Sequence, residues 1–152
     1  MFMHDGAIDH FVSWNNCKAT NPGLAYEWSN FRFIDPALNS KKRTLDDRLF
    51  DPFEVQDDWF EVDIPSFVLR ITDRIPPQSR AKAEFTVDRL GLQQGRKAVT
   101  LRWEWYEQHR SGALTLAGLQ QNAPLVARAV ESWLEGGNGP LPVIPRPAPG
   151  LV

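Results

Sequence analysis

Residues 24–43 read LAYEWSNFRFIDPALNSKKR, and the fold turns on how this stretch is divided. Its second half is clear. Asp35-Pro36 is a helix start, because an aspartate accepts the first free amides and proline's fixed φ suits the first helical position. ALNSKKR carries that helix to about Arg43. The first half is less regular. Aromatics at 26, 28, 31 and 33 keep no single period, which suits a turn of helix or an irregular entry and then a strand from about Asn30 to Ile34. Toward the N-terminus, Ala7 to Ser13 reads as a first strand. WNNCKATNPG, residues 14–23, reads as an Asn-rich loop closed by Asn-Pro-Gly. The order is therefore strand, loop, strand, helix.

Beyond Arg43 the pattern changes twice. Phe60, Val62 and Ile64 alternate with Glu61 and Asp63, and SFVLRIT answers after Pro65, so residues 59–72 read as a β-hairpin. From Pro76 the period becomes helical. Ala83, Val87 and Leu90 mark one face of a helix ending at Gly91, and Val99, Trp103 and Tyr106 mark a second over about 95–110. A short helix over 115–121 and a last one from Pro124 to Glu135 follow, the latter facing inward through Val126, Val130 and Trp133. Five prolines in residues 139–152 predict an extended, mobile tail from 136 on. The expected class is α+β, with a single domain over 1–135, a strand–strand–helix core over about 7–43 and a helical region over about 77–135.

Composition narrows the function. A 42% hydrophobic, 24% charged chain of 152 residues is that of a globular protein, and six Trp and nine Phe supply large core side chains. A formal charge of −2 argues against a whole-molecule electrostatic grip on nucleic acid. The single Cys17 excludes an intramolecular disulfide and a cysteine zinc cluster. No stretch has the pattern of a signal peptide or the ~20 apolar residues of a membrane span, so a cytoplasmic protein with no membrane partner is expected.

Three short pieces carry chemistry: IDHF at 8–11, YEWSNFRF at 26–33 and NSKK at 39–42. Together with LFDPFE at 49–54 they resemble the HNH nuclease family and its ββα-metal fold, in particular HNH proteins of bacterial restriction and anti-phage defence systems. The nine-residue separation of Asn30 and Asn39 matches members whose third position is Asn, an HNN variant. Two features depart from the family. FVSW stands where a Pro and a Lys often follow Asp-His, and the CxxC pairs that hold a structural zinc in many relatives are absent. Packing by Trp14, Trp28, Phe31 and Phe33 is expected to replace that zinc.

The resemblance implies hydrolysis of phosphodiester bonds, in DNA ahead of RNA, with Mg²⁺ or Mn²⁺ as cofactor. Asp9 and Asn39 would offer hard oxygen ligands, and His10 would take a proton from the attacking water. Asn30 would orient His10 and hold the loop. Lys41, Lys42 and Arg43 would touch phosphate. Adjacent strand residues point to opposite faces, so Asp9 and His10 can serve one site only where the strand end twists. A partner such as an ATPase, or a second copy of the chain, is expected to supplement the weak charge. The alternatives are a catalytically inactive HNH scaffold that binds a protein partner, and the nuclease toxin domain of a larger effector. His4 and His109 read as surface residues, His4 with a lesser reading as an extra ligand. Asp51 reads as a turn residue or support to the metal site, and Asp46 and Asp47 as a loop start.

Overall fold

The computed structural model describes residues 6–148, so His4 lies outside the described residues. Among these the chain is mixed α+β, with six α-helices and two antiparallel two-stranded sheets. None of the helices is long and apolar enough to cross a membrane. The residues group into two compact units rather than along one continuous segment. The first holds the described residues through Val55 together with Ser79–Leu90; the second holds Gln56–Gln78 and the described residues from Gly91 onward.

In the first unit, β1 (Ala7–His10) pairs antiparallel with β2 (Phe31–Ile34), Ile8 opposite Phe33 and Asp9 opposite Arg32. Between them Trp14–Thr20 forms α1, and Pro22–Tyr26 and Trp28–Asn30 form 3-10 turns. A loop was expected over 14–23, so α1 is a correction. The signal for it is not local. Asp46, about thirty residues away, accepts the Ser13 amide at 2.8 Å and the Asn16 carboxamide at 2.5 Å, placing an acidic group at the helix start. Cys17, fully buried, fixes the inward face. Helix α2 (Pro36–Lys42) follows the sequence reading, with the Asp35 carboxylate accepting the Ala37 and Leu38 amides. Leu49, Ala25 and Cys17 form the apolar centre with Ala83 and Val87 of α3 (Pro77–Leu90), and the Thr86 hydroxyl accepts the Phe50 amide.

The expected aromatic packing is met only at Phe31, which is half-buried between His10 and Trp28. Trp28 is 86% exposed and Phe33 75%. Strand alternation explains it: Ile8, His10, Phe31 and Phe33 share one face of the sheet, and the opposite face carries Asp9 and Arg32. The inward face is thus charged. Arg32 gives Asp51 a two-pronged ion pair, its Nε donating to Oδ1 at 2.8 Å and its Nη2 to Oδ2, while Nη1 donates to the Ser29 and Phe31 carbonyls. The guanidinium lies over the Phe53 ring at 4.1 Å. Asp51 is therefore a partner of Arg32. Burial pushes its carboxyl up, but the hydrogen bonds from Arg32 and the Phe53 amide outweigh burial and hold it below the usual carboxylate range. A depressed folded-state value stabilises above the unfolded value of 3.8 and is lost as pH falls through the folded one. Melting followed from pH 5 to pH 2 should lose stability below pH ~4, and the Asp51→Asn variant should lose less over that window.

In the second unit, β3 (Phe60–Val62) pairs antiparallel with β4 (Leu69–Ile71), as the alternation predicts. Phe67, between them, takes a left-handed φ of 56°. Its buried ring packs edge-on against Tyr106 at 5.2 Å, and Arg102 donates to its carbonyl at 2.9 Å, which holds the conformation. Helices α4 (Arg96–Arg110), α5 (Leu116–Asn122) and α6 (Pro124–Glu135) bury Tyr106, Leu119, Val126, Ala127 and Val130. The proline-rich segment forms no helix or strand, yet part of it is docked on α4. Trp103 Nε1 donates to the Ile144 carbonyl at 2.8 Å and the Tyr106 hydroxyl to the Pro142 carbonyl at 2.7 Å. Proline repeats free their carbonyls for outside donors, so an extended segment and an anchored one are compatible. Tyr106→Phe should cost about 0.5–1.5 kcal/mol in a urea melt.

Candidate active site

The residues singled out in the sequence divide between two faces of β1: His10 lies on one, with Asn30 holding the segment after it, and Asp9 lies on the other, where Lys42 meets it. His10 ends the strand, half-buried, with its ring tilted against Phe31 at a centroid distance of 5.0 Å. Its Nε2 lies 3.0 Å from the Ala25 carbonyl oxygen. A carbonyl can only accept, so this contact requires Nε2 to carry the proton. In the neutral ring that leaves Nδ1 with the free lone pair.

Asn30 is 3% exposed and holds the segment that follows His10. Its Oδ1 accepts the Val12 amide at 2.8 Å, and its Nδ2 donates to the Val12 and Leu24 carbonyls at 3.1 and 3.2 Å. Its own carbonyl accepts the Phe11 amide at 2.8 Å. Asn30 thus fixes the strand end and the turn carrying Ala25, the acceptor of His10, without a hydrogen bond to the imidazole itself. Replacing it by Ala leaves buried groups unpaired. Asn30→Ala should cost about 1–3 kcal/mol per group left unsatisfied, read as a lowered urea midpoint.

Asp9 points to the other face of β1, toward α2. There the Lys42 ammonium lies 2.9 Å from Asp9 Oδ2 and 3.7 Å from Asp46 Oδ1, and donates to the His10 carbonyl at 2.8 Å. Neither carboxylate oxygen has a hydrogen bond in good geometry, so the attraction is Coulombic and both oxygens stay orphaned as acceptors. Lys42 is only 4% exposed. The expected phosphate contact by Lys42 is therefore not met in this arrangement, because burial against two carboxylates holds the ammonium inside. Lys41 donates to the Leu90 carbonyl at 3.1 Å from an exposed position. Arg43 caps α2 with a φ of 49° and is exposed. Asn39 sits one turn before Lys42, on the same face of α2. Its side chain makes no hydrogen bond with the described residues.

No family model, no curated protein and no solved structure matches this chain. The site is read from its own donors.

No group of three His, Cys, Asp or Glu side chains among the described residues is arranged to hold a metal ion. Magnesium does not demand one. It is commonly held by one or two carboxylates, retained waters and substrate phosphates. The orphaned Asp9 Oδ2 and the unengaged Asn39 carboxamide are hard oxygen donors of the chemical kind such an ion takes. Asp46 and Arg32 are the residues the sequence reading missed. The i, i+4 spacing of Lys42 and Asp46 was the available signal for the first; the second had none within its own neighbourhood.

Proposed function

We propose that the chain is a metal-dependent endonuclease of the HNH type, with β1, β2 and α2 as its ββα-metal core and nucleic acid, DNA ahead of RNA, as its substrate in a bacterial defence or restriction setting. The observation that carries the reading is the His10 imidazole, tied through Nε2 to the Ala25 carbonyl so that Nδ1 is left to accept a proton. Supporting it, α2 packs against β1, and Asn39 lies one turn before Lys42, the residue that meets Asp9.

The chain's own residues divide the work. Water attacks phosphorus while its proton passes to His10 Nδ1; the bond from phosphorus to the 3′ oxygen breaks, and that oxygen takes a proton from solvent to leave as the 3′-hydroxyl. The growing positive charge on the ring is shared with the Ala25 carbonyl. Asn30 keeps the strand end in place, so the ring does not swing during transfer. Arg43 and Lys41 are the exposed cations of α2 and its cap, and they steady the phosphate. Asp9 and Asn39 would hold Mg²⁺ or Mn²⁺, which when bound supplies charge neutralisation at the phosphate and leaving oxygen. With a net charge of −2, firm substrate engagement falls to a partner such as an ATPase, or to a second copy.

The test is nicking of supercoiled plasmid, with single-stranded DNA and RNA in parallel, with Mg²⁺ or with EDTA. Nicking that requires the metal and is lost in Asp9→Asn supports the reading; no cleavage of any substrate under any metal overturns it. A second reading, an inactive scaffold binding a protein, is favoured by the Lys42–Asp9 ion pair, which already balances the carboxylate's charge without a metal.

A further inference from the structure

Two carboxylates and one ammonium meet in the interior of the first unit, leaving one negative charge in excess. The Lys42 Nζ faces three oxygens: the His10 carbonyl at 2.8 Å, Asp9 Oδ2 at 2.9 Å and Asp46 Oδ1 at 3.7 Å. The side chains of Lys42 and Asp46 are 5% and 4% exposed. Asp46 is itself fixed, because its Oδ2 is taken by the Ser13 amide and the Asn16 carboxamide. Three oxygens around one cation is the environment a small metal ion would find, and here a side-chain cation fills it.

From this geometry we infer that Lys42 is a built-in placeholder for the divalent cation, a displaceable counter-ion that must leave Asp9 before metal can bind. The inference rests on the nuclease reading of Asp9 and adds a regulation to it. An ammonium at 2.9 Å from Asp9 Oδ2 and a metal ion at ligand distance from it would repel each other at close range in a buried setting, so the two disfavour one another there. The state ready for metal is thus the minor one in which Lys42 has swung out. Apparent metal affinity is reduced by the fraction of molecules in that state. Lys42 lies at the last turn of α2, next to the exposed Arg43. Once released, it joins Lys41 and Arg43 on the outside of the helix end, where a phosphate would meet it. Metal entry and delivery of a cation to the substrate are then one event.

Two measurements test this, neither an activity assay. The first is Mn²⁺ titration by calorimetry of wild type, Lys42→Met and Asp9→Asn, each checked for folding by circular dichroism. Lys42→Met should bind Mn²⁺ tighter than wild type by roughly 5–150-fold, the usual range for coupled equilibria. Equal or weaker binding by folded Lys42→Met overturns the placeholder role, while loss of binding in Asp9→Asn still upholds the metal site. Binding unchanged in Asp9→Asn overturns the site itself, and the placeholder with it; so does no Mn²⁺ binding in either wild type or Lys42→Met. The second measurement needs no variant. Wild type is treated with an amine-acetylating reagent, with and without Mn²⁺, and Lys42 is followed by mass spectrometry against Lys18 as an exposed reference. Lys42 should resist acetylation without metal and react several-fold faster with it. Protection unchanged while Mn²⁺ is bound overturns the inference, even where Lys42→Met fails to fold.

Discussion

His10→Ala should abolish metal-dependent nicking, with a loss on the order of 10²–10⁴-fold in rate, the range for removing a general base. The fold should survive, because the imidazole is half-buried and its one hydrogen bond is to the Ala25 carbonyl. Melting within about 1 kcal/mol of wild type is the control that separates a chemical loss from a structural one. Added imidazole in millimolar amounts should restore part of the rate to His10→Ala and none to Asp9→Asn, since it can replace a base but not a metal ligand. His10→Ala cleaving as fast as wild type would remove His10 from the mechanism.

Arg32→Ala is the largest expected loss of stability. It strips the Asp51 carboxylate of both prongs of its ion pair and leaves the charge in an interior site. Removing one partner of a buried pair typically costs about 3–5 kcal/mol. It also uncovers the faces of Phe11 and Phe53 against which the guanidinium lies. Arg32→Lys should rescue little, because an ammonium cannot make the two-pronged contact and also reach the Ser29 and Phe31 carbonyls. Arg32→Met with Asp51→Asn should recover part of the loss by removing the stranded charge. A double-mutant cycle in urea reads the coupling directly, and a coupling near zero would mean the pair does not hold the sheet.

How far such features can be read from sequence depends on whether their cause is local. The α2 start was legible because Asp35 and Pro36 act on their own helix, and the 59–72 hairpin because Phe60 and Val62 alternate. Helices α3 to α6 follow 3.6-residue patterns and lie within a residue or two of expectation. Helix α1 was illegible because Asp46 lies far along the chain from the amide it accepts. The aromatics of 24–34 misled for a related reason. A two-stranded ribbon has two faces, and composition does not say which is covered. Here the covered face carries Arg32 and Asp9, so the unit is held by paired charges where apolar rings were expected. At the site, His10, Asp9 and Asn39 could be nominated from motif and spacing. The pairing of Lys42 with Asp9 could not, since a lysine in KKR reads as a solvated face until a fold buries it.

The return of α3 to the first unit bears on how this chain is made. Phe50 needs the Thr86 hydroxyl, Arg48 lies over the Phe85 ring and Lys41 reaches the Leu90 carbonyl, so the unit's last pieces are specified some thirty residues after its others. On the ribosome, the strand bearing Asp9 and His10 emerges before Ser79–Leu90 and must wait for residue 90 before its surroundings are complete. A fragment cut at residue 55 would hold every nominated chemical group and lack the helix that closes over Leu49 and Phe50. Excision of the motif-bearing segment alone is therefore the wrong way to isolate its chemistry.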